Sequence, residues 1–435
     1  MSEAPKILIV AQNASSVFGG EAFLPLKYFQ LMRQRGLPVK LIAHSRNRAN
    51  LTETLAPWLE DIYFIEDSRW HRFAWNLGKM LPGRISSAFS GALLNFINER
   101  FQKRLVRSLI RAGDVDIIHQ PIPVSPLTPS SLYGLGVPVV IGPMNGGMTY
   151  PEGYEYLQGR STRRFIRLAR GMARALNNLI PGKRKATTLL VANKRTRDAL
   201  EFLNHPNVID LVENGVDFSI WHGAEPVDQK PRTQPFRLVF LGRLVDWKAV
   251  DVTLEAIKIS RSHGTSVTLD IIGDGDEREA LERLAQAQDL TDAVRFYGFL
   301  PQSTCAERLK ACDALILNSV YECGGAVVLE AMSLGLPVIA SNWGGPADYL
   351  DSECGILVEP VPKKGFSDRL ATAITQLADN PELRQRMGAA GSRKVREQFD
   401  WERKVDRILD IYADAIARHP TRQHTPDHTD GPERE

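Results

Sequence analysis

Cysteine is scarce in this chain. The four that occur, Cys305, Cys312, Cys323 and Cys354, follow no paired metal spacing, and none precedes residue 300. That pattern excludes a disulfide framework and points to reduced thiols in a cytoplasmic protein, with no cysteine metal site. Long apolar runs are missing too: none reaches the ~18 residues needed to span a bilayer. The short run Ile7 to Ala11 lacks the layout of a signal peptide and reads as a first strand. There is no G-x-G-x-x-G, so a nicotinamide or flavin fingerprint is not matched. No helix-turn-helix, zinc or RNP signature supports nucleic acid as a partner. What remains is ordinary for a soluble globular chain: 43% hydrophobic and 24% charged residues. At 435 residues there is length enough for two domains with cores of their own.

Charge is unevenly spread. Residues 1–220 hold 28 Lys+Arg against 17 Asp+Glu, and residues 221–435 hold 26 against 34. A basic half joined to an acidic half suggests that the first meets an anionic surface or substrate. The basic residues concentrate in one segment. On a helical wheel Arg160, Arg163, Arg164, Arg167, Arg170 and Arg174 fall within roughly 120°, opposite Phe165, Leu168, Met172, Leu176 and Leu179. Two readings fit: a surface helix packing its apolar side on its own domain, or a face docking on anionic lipid at ~1 kcal/mol per basic residue. Trp70, Phe73 and Trp75, near Arg69 and Arg72, would extend such a patch.

Taken in order, the chain alternates short apolar runs with amphipathic stretches. Lys6–Ala11 and Val39–His44 read as buried parallel strands, separated by a helix over Glu21–Arg35 that follows Gly19-Gly20. In such a doubly wound sheet ligands sit at the carboxyl ends of strands, where Gly19-Gly20 falls. Asp114–His119 is a further strand with His119 at or near its carboxyl end. Val137–Ile141 is another, ending in Gly142-Pro143-Met144-Asn145-Gly146-Gly147. A strand at Leu189–Asn193 and the stretch Val212-Glu213-Asn214-Gly215-Val216-Asp217 precede three prolines within 222–235, which read as a linker.

The pattern restarts at Phe236–Leu241, which runs into Gly242-Arg243-Leu244-Val245-Asp246-Trp247-Lys248 and a helix over Val252–Ile259. Arg243 and Lys248 straddle that loop and suit a diphosphate, Arg gripping oxygens bidentately and Lys supplying a point charge. Leu269–Ile272 leads to Gly273-Asp274-Gly275 and a charged helix over Glu277–Ala287; Arg295–Pro301, holding Phe299 and Leu300, is the next strand and loop. The stretch around which the rest is arranged is Asn318–Leu336. The strand Ala314–Leu317 ends there, Gly324-Gly325 turn without a Cβ, and a helix starts at Ala326. The free N–H groups of that helix make an anion site, flanked by Glu322 and Glu330. Helices fill 366–418 with an interruption at Phe399-Asp400-Trp401, and a polar tail follows Pro420.

Five features in this order, Gly19-Gly20, Asn214-Gly215-Val216-Asp217, Gly242-Arg243-Leu244…Lys248, Gly273-Asp274-Gly275 and Glu322-x7-Glu330, resemble family 4 of the retaining glycosyltransferases, with the GT-B fold. The resemblance covers nearly the whole chain and implies an α/β architecture of two Rossmann-like domains facing a central cleft. The expected division is an acceptor-binding domain over 1–221, a linker over 222–235 and a donor-binding domain over 236–398. A helix over 399–418 would cross back to the first domain, and a disordered tail over 419–435 would end the chain.

By position the resemblance implies that Arg243 and Lys248 bind a donor diphosphate and Glu330 the ribose hydroxyls. Glu322 and the backbone of Gly324, Gly325, Ala326 and Val327 would hold the sugar. Gly19 and Gly20 would approach from the other domain, with Gly273, Asp274, Phe299 and Leu300 also at the donor. His119 matches a histidine often found near the reacting sugar in that family. The implied activity is metal-independent, cofactor-free transfer of a hexose from a nucleotide-diphosphate sugar to a glycan or glycolipid acceptor, with retention. Cytoplasmic protein peripheral on the inner face of the membrane is the expected location, in surface polysaccharide assembly. One departure stands out: Gly324 occupies a place where the family frequently has an aromatic residue, which is expected to loosen the turn. A nucleotide-sugar 2-epimerase of the same fold and a non-catalytic sugar-nucleotide or membrane-binding protein are the alternatives.

Overall fold

A computed structural model describes residues 4–16, 20–70, 73, 76, 83–158, 171–222 and 235–419. Most of the linker 222–235 and of the tail 419–435 lie outside the described residues, as do Gly19 and Arg160, Arg163, Arg164, Arg167 and Arg170.

Two parallel sheets carry the fold. The first contains β1 (Ile7–Val10), β2 (Val39–His44), β3 (Ile62–Ile65), β4 (Ile117–Gln120), β5 (Val139–Met144), β6 (Thr188–Val191) and β7 (Val208–Asp210), in the order β3-β2-β1-β4-β5-β6-β7. The second contains β8 (Phe236–Leu241), β9 (Val267–Ile272), β10 (Val294–Gly298), β11 (Ala314–Leu317), β12 (Val338–Ser341) and β13 (Gly355–Val358), in the order β10-β9-β8-β11-β12-β13. The central strands β1, β4, β5, β11 and β12 are buried along their whole length, which is why they read as unbroken apolar runs rather than alternating ones. In each sheet the winding reverses once, between β1 and β4 and between β8 and β11. Crevices open outside the carboxyl ends of strands at such reversals.

Helices wrap both sheets. Gly20–Gln34 follows β1, Val250–Ser262 follows β8, and Ala326–Ser333 follows β11. The loops between strand and helix are closed by glycines at two tight points. Gly273, after β9, has φ +137°, and a Cβ there would lie 1.9 Å from the Gly242 carbonyl oxygen. Gly325 has φ +83° and turns the chain into the helix Ala326–Ser333.

The C-terminal helix returns to the first sheet. Phe366–Asp379 and Pro381–Gln398 pack on the second sheet, and the chain then breaks at Phe399. Asp400 caps the next helix, Trp401–Arg418, by accepting from the Glu402 amide at 2.9 Å. Val405, Ile408, Ile411, Tyr412 and Ala415 of this helix share one core with Ile7, Ile9, Tyr28 and Leu41 of the first domain. The same crossing is stitched by main chain, Val216 donating to the Phe399 carbonyl at 2.8 Å. Among the described residues no helix is long and apolar enough to cross a membrane.

Candidate donor site in the interdomain cleft

A cavity of about 1110 Å³ lies between the facing carboxyl edges of the two sheets. The first domain contributes Gly20 and Glu21 from the start of the helix after β1, Val124–Leu127 after β4, and Asn145–Met148 after β5. From the second come Leu241, Gly242 and Lys248 after β8, then Tyr321–Val327 and Glu330 after β11. The loops after β1, β4, β8 and β11 flank the two sheet reversals, and the loop after β5 lies one strand further on.

Lys248 and Glu322 form a half-buried ion pair on the cavity wall, their side chains 13% and 17% exposed. Lys248 ends the short turn Asp246–Lys248, which is held against the loop after β11 by the Val320 amide donating to the Trp247 carbonyl at 2.9 Å. Ala326 and Val327 open the helix Ala326–Ser333, which has no side-chain cap, so its first amides face the cavity as anion donors. Glu330, one turn further on, has no side-chain hydrogen bond among the described residues. Burial pushes its carboxyl up to about 7. Glu21, across the cavity, is raised as well, by burial against a hydrogen bond from the Val124 backbone.

The turn at Gly324 is packed, not loose. Gly324 is buried, and a Cβ there would lie 2.4 Å from Asn214 Nδ2 and 2.5 Å from Glu213 Oε1. Asn145 Nδ2 donates both to Glu213 Oε1 and, at 2.9 Å, to the Cys323 carbonyl. The Gly345 amide donates to the Glu322 carbonyl at 2.8 Å from the other side. Space that a larger residue would take at 324 is filled by side chains of the first domain. The expectation of a loosened turn is thereby corrected.

His119 does not reach the cavity. It lies inside β4, one residue short of its end, and is fully buried. Its Nε2 sits 2.6 Å from the Gly142 carbonyl and its Nδ1 2.6 Å from the Tyr412 hydroxyl. A carbonyl can only accept, so Nε2 carries the proton and Nδ1 accepts from Tyr412. Burial lowers its pKa to about 4. A histidine expected beside the reacting sugar is instead a neutral link between β5 and the crossing helix.

Arg243 is exposed on the loop after β8, beside Gly242, and has no carboxylate partner among the described residues. Gly273, Asp274, Phe299 and Leu300 occupy neighbouring loops of the same sheet edge and do not line the cavity. Asp274 caps the Gly275 amide at 2.8 Å and faces Arg278. The structure also assembles residues to which sequence reading gave no role: Glu21, Asn145, Arg195 and Glu213. Arg195, on the helix Lys194–Leu200, grips Asp348 of the second domain with two hydrogen bonds of 2.8 Å. Their one signal was position in the loops and helix starts that follow strand ends.

Of the basic helix, residues 171–179 are described. The side turned inward carries Ala173 and Asn177, and Asn177 Nδ2 donates to the Leu127 carbonyl at 3.0 Å. Met172, Leu176 and Leu179 are 49%, 38% and 77% exposed, and Arg174 is exposed as well. An apolar side packed on its own domain is therefore not what this segment shows.

Comparison with known proteins agrees with this geometry. Residues 224–394 match the family described as glycosyl transferases group 1. Glycogen synthase of Mycobacterium tuberculosis is 29% identical over 232 residues, 53% of this chain and 54% of that protein; the match thus spans about half of that relative's length. Phosphatidyl-myo-inositol mannosyltransferase of the same organism is 26% identical over 412 residues, covering 94% of this chain and 96% of that one. Among solved structures, Anabaena Alr3699/HepE in complex with UDP superposes with a TM-score of 0.64 at 18% identity, over 94% of this chain and all of that one. Residues 224–394 thus match the group 1 glycosyl transferases, and the chain as a whole has the GT-B fold and resembles the family 4 glycosyltransferases.

Proposed function

We propose that this protein is a retaining glycosyltransferase that moves a hexose from a nucleotide-diphosphate sugar to an acceptor hydroxyl. The observation that carries this is the convergence, on one cavity wall, of Lys248, the uncapped helix start at Ala326 and the buried carboxyl of Glu330. In this reading Lys248, the amides of Ala326 and Val327, and Arg243 swinging in from the rim take the diphosphate. Glu330 accepts from the ribose hydroxyls. The base extends past Gly273 and Asp274 towards Leu300 and the exposed Phe299, which offers a stacking face. Glu322 and the backbone of Gly324 and Gly325 hold the sugar, with Gly20 and its neighbour Gly19 closing from the other domain. HepE, of like fold, has been crystallised with UDP, which supports a nucleotide donor here.

The chemistry asks mainly for electrostatics. The bond from the anomeric carbon to the β-phosphate oxygen breaks, and negative charge grows on the diphosphate, where fixed cations and amides stabilise it. The acceptor hydroxyl attacks from the face the diphosphate leaves, and its proton passes to a leaving phosphate oxygen. Configuration is retained without a covalent enzyme intermediate, so Glu322 positions the sugar and balances Lys248. No bound metal is required in this scheme.

The acceptor is a lipid-linked or membrane-proximal glycan, and the protein acts in the cytoplasm, peripheral on the membrane. Exposure of Met172, Leu176 and Leu179 on the same helix as the exposed Arg174 supports this, because a helix carrying both basic and apolar exposed side chains suits an anionic interface. A relative of nearly the same length is named as acting on a phosphatidylinositol. Arg160, Arg163, Arg164, Arg167 and Arg170 would continue the membrane face.

Two measurements test the proposal. Thermal stabilisation by a panel of nucleoside diphosphates and their sugars should single out one base, and the shift should vanish in Arg243→Ala and Lys248→Ala. No shift with any of them would sink the donor site. Cosedimentation should favour anionic over neutral vesicles and weaken in Leu179→Glu; equal binding to both vesicle types removes the membrane reading.

A further inference from the structure

Glu213 has been left unused by the reaction as described, although it stands in the cavity wall. It follows β7 in the first domain, is 7% exposed, and lies against the Gly324 backbone of the second. Its two carboxylate oxygens have opposite fates. Oε1 is saturated, accepting from Asn145 Nδ2, from Asn214 Nδ2 at 3.2 Å and from the Tyr349 hydroxyl at 3.5 Å. Oε2 is buried with no hydrogen-bond partner. Lys404 does not supply one: its hydrogen bonds go to the Glu213 and Asn214 main-chain carbonyls.

A buried acceptor of this kind calls for a donor that arrives with the ligand. We infer that Glu213 is a sugar-specificity residue whose Oε2 accepts a hydrogen bond from a hydroxyl of the transferred sugar. Three contacts fix the carboxylate through Oε1, so its free oxygen is held in one place rather than loose. Asn145 joins it to the Cys323 carbonyl at 2.9 Å, the loop that carries the sugar in the proposed reaction. The absent Cβ of Gly324 makes the arrangement possible: any side chain there would displace the Glu213 oxygen 2.5 Å away. Gly324 and Glu213 act as a matched pair, the small residue admitting a polar group to the sugar end of the cleft.

This inference rests on the donor-site reading, and the test separates the two. Glu213→Gln keeps an oxygen for Asn145 and Asn214 but replaces the free acceptor by a donor amide. Calorimetric affinities are measured for UDP and UDP-glucose, for GDP and GDP-mannose, and for singly deoxygenated analogues of whichever sugar nucleotide binds. The expected result is an unchanged affinity for the free diphosphate and a loss of at least about tenfold for the sugar nucleotide. One deoxygenated analogue should bind wild type as weakly as the variant and be indifferent to the substitution. Equal effects on diphosphate and sugar nucleotide, or no effect on either, overturn the inference while leaving the donor site standing. Failure of wild type to bind any nucleotide removes the donor site, and the inference with it. Glu213→Ala, with its melting temperature recorded, checks that an intact fold underlies the result.

Discussion

The Tyr412 hydroxyl donates to His119 Nδ1 at 2.6 Å, tying the last helix of the chain to a central strand of the first sheet. The imidazole passes the connection on to the Gly142 carbonyl, so one neutral ring bridges β5 and a helix that begins in the second domain. A joint of this sort fixes how the two domains face each other and thereby shapes the cleft.

His119→Ala should therefore damage stability rather than donor binding. Two buried hydrogen bonds and ring volume are lost, at a cost of about 2–4 kcal/mol, while nucleotide affinity at a temperature well below melting stays near wild type. The pH dependence gives a second check. Folding depresses this imidazole from 6.5 to about 4, so its neutral burial favours the fold above pH 6.5 and that contribution fades as pH falls towards 4. The variant should show a flatter stability profile across that window in chemical denaturation.

Lys248→Ala should weaken diphosphate binding at least tenfold, about 1.5–3 kcal/mol for a charge-assisted contact. It also leaves Glu322 facing the phosphates unpaired. Lys248→Ala combined with Glu322→Gln should bind diphosphate better than Lys248→Ala alone, and titration calorimetry with the double variant reads this coupling directly.

Nucleotide binding should release a proton near neutral pH. Glu330 titrates at about 7 in the free protein, and two ribose hydroxyls favour its ionised form. Affinity should drop as pH is lowered through 7, and binding heats should vary with the ionisation enthalpy of the buffer. Glu330→Gln should abolish that variation. Folding raises this carboxyl above 4.5, so the free protein loses stability as pH rises through 4.5 to 7; the same substitution should remove that slope as well.

Gly324→Ala forces Glu213 and Asn214 aside and should destabilise the protein by about 1–3 kcal/mol. Adding Glu213→Ala removes one of the two contacts and leaves only Asn214 in the way of the new methyl. The loss of melting temperature in the double variant should be smaller than the sum of the separate losses, a coupling that unrelated sites would not show.

Much of the fold was legible because parallel strands buried on both faces leave short apolar runs such as Ala314–Leu317, bounded by polar residues. The helix over Glu21–Arg35 came within a residue at each end of Gly20–Gln34, and the interruption at Phe399 fell where Asp400 caps the next helix. Lys248, Glu322 and Glu330 were legible too, since each sits in a loop or helix start whose geometry follows from the local chain. His119 was placed near the end of its strand as found, but its role was not legible, because its enclosure by the Gly142 carbonyl and Tyr412 is set by packing across the chain.

The amino-acid order by itself determined the two sheets, the sides on which their loops emerge, and the glycine turn at Gly324-Gly325, because these depend on periodicity and on backbone freedom at glycine. Only the tertiary structure decided which distant side chains meet. Glu213 reaches Gly324, Arg195 grips Asp348, and Tyr412 finds His119, across separations of 111, 153 and 293 residues. Such pairs are set by how two domains and a crossing helix pack together, a long-range property that no local pattern encodes.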